Sequence, residues 1–75
     1  MNKESLAEAL TKGMFYMTEQ EKMVLILTYY EELNIVEVML VLDIDEYTYQ
    51  KLLTNAKTKM RPFTDIFDKI DQMNN

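Results

Sequence analysis

The chain has no cysteine and no histidine. It therefore lacks disulfides, thiol nucleophiles, imidazole proton transfer and the usual zinc ligand sets. One glycine and one proline in 75 residues argue against an all-β fold, which needs many tight turns. Unbroken apolar runs are short: Met23–Leu27 falls far below the roughly 20 residues that cross a bilayer. Met1-Asn2-Lys3-Glu4 leads into a mixed polar segment rather than the apolar stretch of a secretory signal. These absences predict a soluble cytoplasmic protein with no membrane segment, no metal and no cofactor, and they speak against an enzyme.

What is present reads as one globular domain. The apolar share is 48% and the charged share 28%, too apolar for a disordered chain and too short for a second core. The net charge is -5, spread unevenly. Residues 1–44 are acidic and 62–75 mildly so, whereas 45–61 carry Lys51, Lys57, Lys59 and Arg61 against Asp45 and Glu46. A basic segment on an acidic body is a thin footprint for nucleic acid. The cations also suit the negative end of a helix.

Caps and periodicity predict four to five helices. The first runs from about Lys3 to Lys12, with Leu6, Ala9, Leu10 and Met14 near one face and Gly13 where a helix would stop. Thr18-Glu19-Gln20-Glu21 is a capping box, and Met17 before it is placed for a hydrophobic staple. The helix it opens continues through Met23, Val24, Ile26, Leu27 and Tyr30. Glu31 and Glu32 mark a solvated edge. Asn34 and Glu37 repeat the capping logic for a short helix to about Leu42. Asp45 caps a longer one that reaches Met60 or Arg61, with Tyr49, Leu52, Leu53, Ala56 and Met60 on its inward stripe. Pro62 ends it. Thr64 caps a last short helix bearing Phe63, Ile66, Phe67, Ile70 and Met73 on one side, with Asn74 and Asn75 frayed. The predicted core holds Leu27, Tyr30, Val38, Leu42, Ile44, Leu53 and Ala56.

Two helices joined by about three residues, the second more basic, follow the helix-turn-helix plan. Ile35, Val38 and Leu42 would face inward from the first, Ile44 would pack under the turn, and Tyr49, Leu52 and Leu53 would face inward from the second. An ordinary helical hairpin in a small bundle fits the same pattern.

The string Met17-Thr18-Glu19-Gln20-Glu21-Lys22-Met23-Val24-Leu25, followed by Tyr29-Tyr30-Glu31-Glu32-Leu33-Asn34-Ile35-Val36-Glu37-Val38, resembles region 4 of bacterial sigma-70-type factors. In that family "LPEREKxVLxLYYxExLxxxEIA" introduces the helix-turn-helix. Tyr-Tyr-Glu-Glu-Leu-Asn is most similar to the flagellar and sporulation branch. Leu42-Asp43-Ile44-Asp45-Glu46 falls at the family's "LGISE", and Ala56, Met60 and Arg61 at its "A…LR". The resemblance covers roughly residues 5–61. It implies an all-α, sigma region 4-like helix-turn-helix domain over 1–61, with 62–75 as an amphipathic C-terminal helix or tail.

The resemblance further implies two surfaces. The recognition helix, Glu46–Arg61 here, would enter the major groove of a −35-type promoter element. Its candidate DNA contacts are Glu46, Tyr47, Thr48, Gln50, Lys51, Lys57, Lys59 and Arg61. An apolar concavity with Met14, Met23 and Leu27 as candidates would grip the flap of the RNA polymerase β subunit. Departures weigh on the DNA half. Met39 and Tyr49 are larger than the usual occupants and would splay the two helices, and Asp43 stands in the turn where glycine is usual. Thr48 replaces a flagellar-type arginine. No arginine precedes Arg61, so the commonest bidentate guanine contact is missing. The expected function is a transcription module that docks on RNA polymerase with weak or auxiliary contact to duplex DNA. The alternatives are a sequence-specific DNA-binding protein, or an interaction domain, whether an antagonist or a helical dimer, that kept the fold. A homo-oligomer through 63–73 belongs to the last alternative.

Overall fold

A computed structural model describes residues 3–73. Among these residues the chain forms five helices and no strand: α1 (Lys3–Gly13), α2 (Glu19–Leu25), α3 (Ile35–Leu42), α4 (Glu46–Met60) and α5 (Ile66–Met73). A single 3-10 turn, Met14–Tyr16, joins α1 to α2. The all-α expectation holds, with elements close to where caps and periodicity put them.

The caps explain the boundaries. The Thr18 hydroxyl accepts the Glu21 N–H at 3.2 Å, and the Glu21 carboxylate accepts the Thr18 N–H at 2.8 Å. Asn34 and Glu37 make the same reciprocal pair at 2.9 and 3.1 Å. Asp45 accepts the Thr48 N–H at 2.8 Å, which holds its carboxyl below the usual carboxylate range. Each bond satisfies an amide that the first helical turn leaves without a partner. Asp43 closes α3 in the left-handed region, φ 54°, a conformation Asp tolerates better than most residues.

One feature differs from expectation. The second helix does not run as a uniform α-helix to Tyr30; from Ile26 to Tyr30 it widens into a π turn. The Glu31 N–H reaches the Ile26 carbonyl at 2.8 Å, and Glu32 then turns the chain with φ 59°. Gly13 ends α1 where a stop was expected, with φ -91°. Its reason is space. A Cβ there would run into the Sδ of Met60 and lie 3.1 Å from its Cε.

The core has two lobes. One gathers Leu6, Ala9, Met17, Leu25, Tyr29, Ala56, Met60 and Phe67; the other gathers Val24, Leu27, Val38 and Tyr49. Leu53 packs against both and joins them. Of the predicted core, Leu27, Val38 and Ala56 are buried; Tyr30, Leu42, Ile44 and Leu53 are half-buried and packed on the lobes. Ile35 is 42% exposed rather than inward. Tyr29, not Tyr30, carries the buried ring, against Phe67 at 5.0 Å between centroids. The large Tyr49 fits: it is buried, and its hydroxyl meets Thr28 Oγ1 at 3.1 Å.

α5 lies on the first lobe. Phe67 is buried, Ile66 and Ile70 pack beside it, and Phe63 stacks on Tyr16 with ring centroids 5.1 Å apart. The Thr64 hydroxyl accepts the Ile66 N–H at 3.1 Å. The side chain of Met73, expected on that stripe, and the frayed end expected at Asn74 and Asn75 fall outside what is described. No described helix is long and apolar enough to cross a membrane.

Candidate interaction surfaces

Three surfaces follow from this packing. The first is a cleft of about 250 Å³ between α1 and α2, lined by Leu10, Thr11, Met14, Glu19, Lys22 and Ile26. Leu10, Met14 and Ile26 form its apolar part. Met14, at 38% exposure, is reachable from solvent. Met23 and Leu27 do not share this cleft. They pack with Val24, Val38 and Tyr49 in the second lobe.

The second surface is the α3–α4 pair, with the turn Asp43–Asp45 between them. Glu46, Tyr47, Gln50 and Lys51 are exposed along the first half of α4, and Thr48 is half-buried. The cations of its second half are tied into the fold. Lys59 Nζ lies 2.7 Å from Glu21 Oε1, reaching across from α4 to α2. Arg61 pairs with Asp68 of α5 at 3.7 Å. Lys57 Nζ stands 6.0 Å from the Tyr29 ring centroid. The Glu21 side chain is only 5% exposed. Burial pushes its carboxyl up, but the bonds from Lys59 and from the Thr18 backbone outweigh it and hold the group below its ordinary value. The basic footprint read from composition is therefore partly internal structure.

No family model matches the chain, and no curated protein or solved structure matches it either.

The third surface was not singled out from the sequence. α3 reads Ile-Val-Glu-Val-Met-Leu-Val-Leu. Val38 turns inward with Met39 and Leu42 beside it, while Val36, Leu40 and Val41 stand outward at 63%, 76% and 59% exposure. Tyr47, in the first turn of α4, adds a ring at 75% exposure. Periodicity assigns the inward stripe; the apolar outward positions are a separate signal in the same helix. A second signal was also available. Between Lys22 and Lys51 the chain has no cation, while Glu31, Glu32, Glu37, Asp43, Asp45 and Glu46 all lie there and all are exposed, Glu37 and Asp45 while bonding backbone amides at their helix starts.

Proposed function

We propose that the chain is a stand-alone module like sigma region 4 that acts in transcription by docking on RNA polymerase through the β flap, with DNA contact weak and auxiliary. The observation that carries this reading is the apolar cleft between α1 and α2. It lies on the part of the chain where the sigma-like string begins, and where the resemblance implies a groove for a helix of the flap. The groove residues are Leu10, Met14 and Ile26 rather than the trio Met14, Met23 and Leu27. A capped α3, a left-handed Asp43 and a capped α4 support the helix-turn-helix half of the reading.

The DNA half is weak for an electrostatic reason. The end of α4 that would enter a major groove is flanked by Asp43, Asp45 and Glu46, and phosphate contact relies on cations. Lys59 and Arg61 bind carboxylates of the domain itself. That favours an interaction protein over a promoter reader as the second reading.

Met14→Glu tests the first reading. The substitution places a charge among the few side chains that would anchor an apolar helix. Helicity should be unchanged, and binding to a β-flap fragment should be abolished. Equal binding by variant and parent, or none by the parent, would remove the polymerase reading and leave the antagonist or dimer.

A further inference from the structure

The outward face of α3 is a short helix surface with an aliphatic side chain at four of its five exposed positions, Ile35, Val36, Leu40 and Val41; Glu37 is the fifth. Val36 and Leu40 form an i, i+4 ridge, the kind that packs into the groove of a second helix. Exposed aliphatic side chains grouped in this way on one helix face mark a protein contact; Phe15 and Tyr16, also strongly exposed, lie in the α1–α2 connection.

Charge says which kind of contact. Glu31 and Glu32 precede α3, and Asp43, Asp45 and Glu46 follow it; all five are exposed. No Lys or Arg lies between residues 22 and 51. An apolar ridge with carboxylates at both ends repels nucleic acid and anionic membrane. It also disfavours a second copy of itself, because a two-fold pairing of the same patch brings carboxylates against carboxylates. It complements an apolar stripe bordered by lysine and arginine. We infer that the outward face of α3 binds a basic amphipathic helix of a partner protein. This surface is separate from the α1–α2 cleft, and the inference does not depend on the polymerase reading.

The probe is a synthetic amphipathic peptide of about 18 residues, about five helical turns, with leucine on one stripe and lysine on the rest. A charge-inverted peptide with glutamate for lysine is its control. The full chain should bind the basic peptide and not the acidic one, and should sediment as a monomer without peptide. Leu40→Ser should weaken binding about tenfold or more, as loss of a central anchor does. Because Leu40 is 76% exposed, that variant should keep the helicity and melting midpoint of the parent. Met14→Glu should leave peptide binding unchanged.

Equal binding by Leu40→Ser and parent would reduce the effect to diffuse charge attraction and overturn the inference. Loss in Met14→Glu with retention in Leu40→Ser would move the site to the cleft and overturn it too. A concentration-dependent dimer that Leu40→Ser dissolves would assign the face to a second copy. Failure of the parent to bind the basic peptide would end the proposal.

Discussion

Single residues carry much of the cohesion between helices. Glu21 serves twice, completing the cap of its own helix and holding Lys59 of α4. Lys59→Met would leave a buried carboxylate with one partner fewer, at a cost of about 1–3 kcal/mol. A carboxyl held below its ordinary value adds stability above that value and loses it as the pH falls through the depressed one. The gap between parent and Lys59→Met in urea unfolding should thus be full at neutral pH and close as the pH drops below the ordinary Glu value of 4.5. A gap constant down to strongly acid pH would show that the pair is not electrostatic. Gly13 gives a test of opposite sign to the usual rule. Ala commonly stabilises a helix interior by about 0.5–1 kcal/mol over Gly. Here the added methyl meets fully buried Met60, so Gly13→Ala should lower stability by about 1–3 kcal/mol as an overpacked core does. Thermal unfolding distinguishes the two signs.

At the scale of elements, the sequence was most legible where side chains bond their own backbone. Thr18, Asn34 and Asp45 are short-range features, so each helix start could be read without knowing the fold. The inward stripe of α4 was legible for the same reason, as a 3.6-residue pattern. The π turn at Ile26–Tyr30 was not, because no local cap or proline marks it. It widens the helix and turns Tyr29 toward Phe67, a choice made by packing between distant segments. Gly13 was legible as the end of α1, but the lack of room for a Cβ there comes from Met60, 47 residues away in sequence. The placement of α5 depended on whether its stripe found a core to cover, and the buried Phe67 answers that. Phe67→Ala should cost about 3–5 kcal/mol, measured by denaturant titration. Leu53, half-buried but touching both lobes, should cost less than the fully buried Leu25, for which Leu→Ala losses run to about 2–5 kcal/mol.

For the whole molecule, the balance of charge matters more than the count of lysines. A four-cation stripe on α4 would release counterions and bind a duplex with a steep salt dependence. Two of those cations are ion-paired to Glu21 and Asp68, and the body carries -5. Binding of a labelled −35-type duplex should be weak and should fall further with added salt. Nanomolar, sequence-selective binding at physiological salt would promote the promoter-reader alternative over the docking reading. The cleft was only half legible. Met14 could be picked from its position at a connection, but Met23 and Leu27 share its apolar character and point elsewhere. Composition cannot tell a side chain that lines a groove from one that fills a core; only the packing of the helices separates them.

The thioether of Met14 also gives the cleft a chemical weakness that the core does not share. Met17 and Met60 are buried in the first lobe, whereas Met14 is open to solvent. Mild peroxide should therefore convert Met14 to its sulfoxide well before Met17 or Met60, as peptide mapping by mass spectrometry would reveal. The added oxygen would turn an apolar wall polar without unfolding the chain, so the grip of the cleft on an apolar helix would weaken under oxidant and return after enzymatic reduction of the sulfoxide.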